Sequence, residues 1–317
     1  MTSFSPGTAD TSSSPNMGAN KRLRFYDLPY LLLTLAVFFW AGNFIVGRAV
    51  RANIPPVALA FWRWAGASLL LAGIALPYLK RDWETVKRSL PVLTLLSAIG
   101  VASFNTLLYT GLQWTTAINA FLLQSLMPVL IVALSFLFFR EKITLRQAGG
   151  IAISLSGAVT IVSQGDLAVL ASVAINRGDL FVFLAVVSYA GYSAALPLRP
   201  PIHPLTLLLT TFVLGTSMLL PIYIGELYTV PPMELSGQSA LAILYVAVFP
   251  SIASYFCYNR GVELVGANRA GLFIHLMPVF GSIMAILFLG ERLQWFHLAG
   301  IALIASGIVL TTREKHR

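Results

Sequence analysis

The sequence is poor in charge and in cysteine. Charged residues are 10% of its 317 residues, hydrophobic residues are 57%, and one cysteine, Cys257, lies within an apolar stretch. This composition excludes a soluble globular protein. A single cysteine also excludes a disulfide framework and a cysteine metal cluster, so we expect neither a metal nor a cofactor. The Gly-x-x-x-x-Gly-Lys-[Ser/Thr] pattern of ATP-binding loops is missing as well, so we do not expect ATP to drive this protein directly.

Acidic residues are missing from the apolar stretches. All twelve lie in tails, in loops or at the ends of predicted helices, which argues against a buried carboxylate that binds cations or relays protons. The net charge of +9 comes from basic residues that are spread over short loops. Because they do not form one patch, nucleic acid is not an expected partner.

The sequence does contain ten apolar stretches of roughly 20 residues, each bounded by charges or turn formers. They predict an all-α polytopic membrane protein with ten transmembrane helices, surrounded by the lipid bilayer. The predicted spans are 29–50, 56–78, 90–112, 116–139, 144–163, 179–197, 204–224, 238–258, 267–289 and 293–312. Residues 1–28, rich in Ser, Thr, Pro and Gly, predict a disordered cytoplasmic tail.

The second half of the chain repeats the first. At a fixed offset of 150 residues, 17 of the 50 positions from 111 to 160 are identical to those from 261 to 310. The clearest match is the Leu-Met-Pro-Val block, which occurs at 126–129 and again at 276–279. The shared proline, glutamate and glycine placements are more than apolar composition alone produces, so this is an internal repeat.

Each repeat, predicted at 29–163 and 179–312, contains five spans, which is an odd number. The second repeat must therefore enter the membrane inverted, so that Glu141 and Glu291 close matching helices at opposite faces. With the N-terminus inside, sixteen loop and tail Lys and Arg residues lie on the inner side and four on the outer side. This bias predicts that both termini are cytoplasmic. Inverted repeats are typical of secondary transporters, whose substrate site lies near the midplane between the halves.

Short motifs along the spans resemble a known family. They are Trp-Ala-Gly-Asn at 40–43, Phe-Trp-Arg at 61–63, Tyr-Thr-Gly-Leu at 109–112, Gly-Asp-Leu at 178–180, and the two Met-Pro…Glu blocks. In this order, over residues 30–312, they resemble the drug/metabolite transporter superfamily and its ten-helix EamA branch of bacterial exporters. The resemblance implies an inner-membrane protein that exports small metabolites, amino acids included, by alternating access.

Two prolines, Pro128 and Pro278, lie at matching places near the middle of their predicted helices. Each removes one backbone hydrogen bond and frees the carbonyl group four residues earlier. We interpret them as helix kinks that line the cavity and permit bending during transport. Ordinary packing is the alternative, because proline is common in membrane helices.

Three polar residues inside the spans leave several roles open. Ser125 and His275 are repeat mates, which predicts similar depths on opposite sides of the cavity. His275 could bind substrate, relay a proton or bond a neighbouring helix. Arg63, in the outer third of its predicted span, could bind a substrate carboxylate, reach outward to the surface, or pair with Glu291.

The candidate substrate-binding residues are the polar and aromatic groups inside the spans. Aromatic rings with one polar atom suit an amphipathic or aromatic solute. The set is Trp40, Asn43, Phe44, Arg63, Asn105, Gln124, Ser125, Tyr189, Tyr192, Tyr255 and His275.

These patterns predict a secondary transporter, not an enzyme, that exports small organic metabolites across the inner membrane, with amino acids as the first choice of substrate. A multidrug carrier and a carrier of nucleotide-like or sugar-phosphate-like metabolites are the alternatives. A membrane-embedded transferase is a weaker one, because no set of acid, base and nucleophile groups converges at one membrane face. A monomer and a homodimer are both compatible with the sequence.

Cysteine labelling tests the predicted orientation. In a Cys257→Ser background, Lys142→Cys and Arg292→Cys should react with an impermeant thiol reagent from opposite sides of the membrane, because five predicted spans separate them. Labelling of both from the same side would contradict the inverted repeat.

Overall fold

A computed structural model describes residues 25–115, 117–171, 176–289 and 292–312. Within these ranges the regular structure is entirely helical, without strands, as the apolar composition predicts. Nine helical stretches described there are long and apolar enough to cross a membrane, and three of them join two α-helices through a π-helical segment or a turn. The chain is therefore a multi-pass membrane protein.

The α-helices follow one another with short connections. In chain order they are α1 (Pro29–Ala49), α2 (Pro56–Arg88), α3 (Leu90–Ser97), α4 (Phe104–Gly111), α5 (Ala117–Gln124), α6 (Met127–Phe139), α7 (Leu145–Val162), α8 (Leu167–Ala171), α9 (Arg177–Ala195), α10 (Pro204–Glu226), α11 (Gly237–Ala247), α12 (Ser254–Val265), α13 (Ala267–Leu272), α14 (Leu276–Leu289) and α15 (Trp295–Thr312). Segments of π-helix join α3 to α4 and α11 to α12, and a 3₁₀ turn, Phe273–His275, joins α13 to α14.

Several predicted bounds need correction. The second span was expected to end at residue 78, but α2 continues to Arg88 because the charged segment beyond is made of good helix formers. The eighth continues to Val265 and ends before Gly266, whose φ of 82° a right-handed helix does not allow. In the described part of the chain the predicted fourth span divides into α5 and α6, and the predicted ninth into α13, a 3₁₀ turn and α14. The described residues contain nine membrane-length stretches, so the predicted count of ten is not exact.

Two expectations fall wholly or partly outside the described residues. Of the predicted tail, only its last four residues are described, and Phe25–Asp27 form a 3₁₀ turn just before α1. Glu291, expected to close the ninth span, is outside the described ranges. The two ends that are described lie near each other, since the Tyr30 hydroxyl is 3.5 Å from the Thr312 carbonyl oxygen.

The matching helices α7 and α15 pack against each other through glycines. A Cβ atom at Gly157 would lie 2.7 Å from the Gly300 carbonyl oxygen, and one at Gly150 would lie 2.7 Å from that of Gly307. At the 150-residue offset these four glycines are two matching pairs. Small residues at such a contact let two helix backbones approach closely, which is how membrane helices often associate.

The two π-helical segments occupy the same place in both repeats. Ala98–Ser103 moved by 150 residues is Val248–Ala253. A π turn commonly marks a functional position, because its changed hydrogen bonding frees backbone groups. In the first segment the Gly100 carbonyl oxygen accepts a hydrogen bond from the Tyr255 hydroxyl of the other repeat.

Helices α2 and α10 run antiparallel and cap each other. The Glu226 carboxylate, at the end of α10, accepts hydrogen bonds from two backbone N–H groups in the first turn of α2, at 2.9 and 2.7 Å. Towards the end of α2, the Asp82 carboxylate accepts from the His203 N–H and the Thr206 hydroxyl at the start of α10, both at 2.8 Å. Each helix thus supplies the negative charge that the first turn of the other favours.

Two glycines of α7, Gly157 and Gly149, test the close contact between α7 and α15. Gly157→Ala should lower the free energy of unfolding by about 1–3 kcal/mol, because the new methyl group meets backbone atoms of α15. Gly149→Ala is the matched control: its Cβ would have no neighbour nearer than 3.9 Å, so the better helix former should leave stability unchanged or raise it. Thermal unfolding of the purified variants measures both, and equal effects would contradict the contact.

Candidate functional site

A narrow cavity lies between the two repeats, with room for about one water molecule. Residues of α1, α2, α4, α5, α9 and α12 line it, together with the beginning of α6, the 3₁₀ turn after α13 and the beginning of α14. Eight of the predicted binding residues lie there, and these are Trp40, Asn43, Phe44, Arg63, Asn105, Gln124, Tyr189 and Tyr255. The other three, Ser125, Tyr192 and His275, are not part of this lining.

The Arg63 guanidinium is the centre of the polar wall of the cavity. The residue is 1% exposed, so it does not reach the membrane surface. Nη1 donates to Asn43 Oδ1 at 3.0 Å and to Asn105 Oδ1 at 2.9 Å. Nε donates to Ser251 Oγ at 2.6 Å, and Nη2 donates to the Pro250 carbonyl oxygen at 2.9 Å. The side chain therefore ties together α1, α2, α4 and the second π-helical turn.

All of these acceptors are neutral. Among the described residues, no carboxylate lies within ion-pairing distance of the Arg63 guanidinium. The pair with Glu291 that the sequence left open involves a residue outside the described ranges. A buried charge without a counter-ion costs roughly several kcal/mol. The cavity consequently carries a positive charge that a bound anion can compensate.

The π-helical turn between α11 and α12 provides two of the acceptors. Pro250 has no N–H to donate to the Val246 carbonyl oxygen, and the Ser251 hydroxyl donates to that oxygen instead, at 2.7 Å. The Ser251 oxygen is then free to accept from Arg63. The Pro250 carbonyl oxygen accepts from Arg63 and also from Trp40 Nε1, at 3.0 Å. Local backbone irregularity therefore creates the site for the guanidinium.

Gln124 ends α5, just before the chain breaks and restarts as α6. It is 2% exposed, and within the described part of the chain neither its amide oxygen nor its amide nitrogen has a hydrogen-bond partner. The same holds for Asn105 Nδ2 and the Tyr189 hydroxyl, whose residues line the same cavity. Each such group costs about 1–3 kcal/mol. The cavity therefore offers several unused donors and acceptors to a polar solute.

Two helices begin at the cavity. Met127 is the first residue of α6 and Met277 the second residue of α14, and both line the cavity. The first turns of these helices follow residues that are themselves helical, and the Leu276 N–H donates to the Phe273 carbonyl oxygen. Pro128 and Pro278 lie in these first turns, where a helix does not need their missing N–H. The backbone at Leu126 and Leu276 keeps right-handed helical angles, and the kink role of Pro128 and Pro278 stays a prediction.

His275 and Ser125 are in contact, which corrects the prediction that they lie on opposite sides of the cavity. His275 Nε2 is 2.9 Å from the Ser125 carbonyl oxygen, and Nδ1 is 2.8 Å from Ser154 Oγ on α7. A carbonyl oxygen only accepts, so Nε2 is the nitrogen that donates. The break between α5 and α6 leaves this carbonyl available. Both ring nitrogens therefore bond neighbouring segments, which is the third of the roles left open to His275.

Tyr192 also points away from the cavity. Its hydroxyl donates to Asn259 Oδ1 at 2.8 Å, and its ring occupies the space beside Gly100, where a Cβ atom would come within 2.3 Å. Tyr189, one turn earlier, faces the cavity and meets the Trp40 ring edge to face, with centroids 5.3 Å apart. Tyr192 therefore links α9 to α12 by a hydrogen bond, whereas Tyr189 forms part of the cavity wall.

Four apolar residues of the lining are absent from the predicted set: Phe104, Met127, Ile274 and Met277. The two methionines stand beside the prolines of the repeated blocks, so the repeat itself is a signal for them. Ile274 is the repeat mate of Gln124 and could have been found in the same way. Nothing in the sequence distinguishes Phe104 from the other aromatic residues of the spans.

Comparisons with known proteins match nearly the whole chain. The model of the EamA-like transporter family matches residues 27–163 and 176–313. The uncharacterized transporter YyaM of Bacillus subtilis (strain 168) is 26% identical over 286 residues, which cover 88% of this chain and 92% of that protein. An uncharacterized transporter of Archaeoglobus fulgidus is 28% identical over 291 residues, covering 91% of this chain and 98% of that protein.

Two further matches bear on function and on fold. A probable terminal-alkyne amino-acid exporter of Streptantibioticus cattleyicolor is 27% identical over 282 residues, covering 89% of this chain and 92% of that protein. One solved crystal structure matches with a TM-score of 0.72 and 16% identity, covering 90% of this chain and 96% of its own. At that identity the likeness concerns the fold alone.

The contacts of His275 predict a linking role. His275→Ala and Ser154→Ala should each destabilise the protein by about 1–3 kcal/mol, because both break the bond between α7 and the α5–α6 break. The two losses should not add in the double variant, and transport of different solutes should fall by a common factor. Ser156→Ala is the control, since that hydroxyl bonds only its own helix, at the Ile153 carbonyl oxygen. A His275 variant of unchanged stability but altered solute preference would contradict the linking role.

Proposed function

The chain belongs to the EamA-like transporter family, and from that premise we propose that it exports small organic metabolites that carry a carboxylate, foremost amino acids with an apolar side chain. It is a secondary transporter in this proposal, which works by alternating access and has no enzymatic activity.

The observation that carries the proposal is the charge of Arg63. The guanidinium is buried and its hydrogen-bond partners are neutral. A carboxylate fits this combination, because a hydrogen bond between two opposite charges is about twice as strong as one between neutral groups. Nη2 makes one contact in the structure and has a second hydrogen to give.

The remainder of the lining supports a solute with an apolar portion. Trp40, Phe44 and Tyr189 present ring faces or edges, and Met127 and Met277 are flexible apolar side chains that adapt to different shapes. The relative named as a probable terminal-alkyne amino-acid exporter supports the same class of solute. The solute in this proposal places its carboxylate at Arg63 and its side chain among the aromatic and methionine residues.

The size of the cavity supports alternating access. It holds about one water molecule, so a metabolite enters only when the two repeats move apart. The restarts at Pro128 and Pro278 are suited to this movement, since a broken helix loses fewer backbone hydrogen bonds when its halves rotate. We place the movement at these two breaks.

The proposal includes location and orientation. We place the protein in a bacterial inner membrane with both termini in the cytoplasm, because the basic residues concentrate on that side. The proximity of Tyr30 to Thr312 is compatible with an even number of crossings. A monomer or a homodimer could carry out this transport.

The alternatives fit the described lining less well. A cationic drug would be repelled by Arg63 and would meet no carboxylate among the lining residues described. A nucleotide or sugar phosphate would be attracted by Arg63 but would place a polar body against apolar walls. A membrane-embedded transferase would need a set of acid, base and nucleophile groups, which that lining does not provide.

Competition in proteoliposomes tests the proposal. Counterflow of labelled L-phenylalanine should be inhibited at least about tenfold better by 3-phenylpropanoate, which keeps the carboxylate, than by 2-phenylethylamine, which keeps only the amine. Arg63→Lys should weaken inhibition by 3-phenylpropanoate, because an ammonium has three hydrogens and cannot bond both the neutral acceptors of the guanidinium and a carboxylate. Stronger inhibition by the amine would overturn the proposal, and stronger inhibition by glucose 6-phosphate than by either would favour a sugar-phosphate carrier.

A further inference from the structure

Beyond the position of the carboxylate, we propose that Gln124 receives the amino group of the substrate and so distinguishes amino acids from acids that lack an amine. This inference rests on the proposed function, because it concerns the same cavity. It assigns to one residue a specificity that the charge of Arg63 cannot provide.

The first argument is the state of the side chain. Gln124 is 2% exposed and lines the cavity, yet both of its amide atoms lack a hydrogen-bond partner among the described residues. Buried amide groups almost always have partners, and exceptions require an explanation such as a missing ligand. The break between α5 and α6 places the residue beside the cavity without surrounding it with helix neighbours that could satisfy it.

The second argument comes from the acceptors that remain in the cavity. An ammonium group only donates, so it needs oxygen atoms with free lone pairs. The side-chain oxygens of Asn43 and Asn105 already accept from the positively charged Arg63, which makes them poor partners for a second cation. The Gln124 amide oxygen is not engaged in this way. It is therefore the best acceptor in the lining for an amino group.

The third argument is the departure from repeat symmetry. The mate of Gln124 at the 150-residue offset is Ile274, which also lines the cavity. The matching breaks in the two repeats therefore present an amide on one side and a branched apolar group, the sec-butyl side chain of Ile274, on the other. An amino acid has the same asymmetry, with an amino group on one side of its α-carbon and an apolar side chain on another. The difference between the mates gives the bound molecule a direction.

The chemistry of a bound amino acid follows from these positions. Its carboxylate accepts from Arg63 and from the unpartnered Asn105 Nδ2, and its ammonium donates to Gln124 Oε1. The Gln124 Nε2 group then donates to a carboxylate oxygen or to the Tyr189 hydroxyl oxygen, which is also unpartnered among the described residues. When Nε2 donates to the Tyr189 hydroxyl, each of the four unpartnered polar atoms in the described lining has a partner.

Binding measurements on purified full-length protein test the inference. Wild-type protein should bind L-phenylalanine more tightly than 3-phenylpropanoate in isothermal titration calorimetry. Gln124→Met, similar in size but without the amide, should weaken L-phenylalanine by about ten- to a hundredfold and leave 3-phenylpropanoate nearly unchanged, because a site built to hydrogen-bond a group discriminates strongly when that group is missing. Gln124→Glu keeps the acceptor and should preserve the preference for the amino acid.

The control and the outcomes are separable. Ile274→Met changes the matching residue on the other wall and should keep the ratio of the two affinities at its wild-type value. The inference is overturned if Gln124→Met weakens the binding of both compounds equally and this variant unfolds at the wild-type temperature. It is also overturned if Gln124→Glu loses the preference for L-phenylalanine. The proposed function stands in both cases. If wild-type protein binds neither compound, while a control amine binds, the proposed function and the inference both fail.

Discussion

The structure depends on one constraint, which is the burial of a guanidinium inside a membrane protein without a carboxylate to neutralise it. Arg63 satisfies its hydrogen-bonding groups with neutral oxygens from α1, α4 and the π-helical turn after α11. These oxygens belong to both repeats, so the contacts of one side chain draw the two halves together. Because these contacts leave one Nη2 hydrogen and the charge itself without a partner, the same arrangement that holds the halves together also attracts an anion.

The repeat was the part of the fold that the sequence made most accessible. The identical Met-Pro blocks predicted matching features, and the structure has matching helix breaks at Met127 and Met277. Hydropathy located most spans, but it could not separate a continuous helix from one that stops and restarts, since both have the same apolar composition. For the same reason the π-helical segments could not be predicted. Hydropathy also did not predict the end of α2, because this helix continues beyond its apolar residues to Arg88.

Most of the polar and aromatic residues that line the cavity could be predicted from the sequence, but the contacts between them could not. Polar and aromatic residue types inside spans identified eight residues of the lining. The depth of Arg63 was estimated along a single helix, whereas its environment is set by partners that lie far away in sequence, such as Ser251. The contact of His275 with Ser125 likewise depends on two breaks and on their relative position. The direction in which a side chain points depends on tertiary packing, which the hydropathy of single spans does not predict.

The paired π-helical turns have a consequence for evolution. A π turn contains one residue more than the α-helix would use, and each α-helical residue advances the chain by about 100° around its axis. The extra residue therefore rotates the following side chains of α4 and of α12 about the helix axis by the same angle. Asn105 and Tyr255, which are mates at the 150-residue offset, are among these side chains. Loss of one residue in a single turn would rotate one of these side chains out of the cavity while leaving the other in place. Such a deletion would barely change the hydropathy or the length of the helix. It would nevertheless remove one residue of a matched pair from the cavity. We therefore expect the extra residues of the two π-helical turns to be retained together.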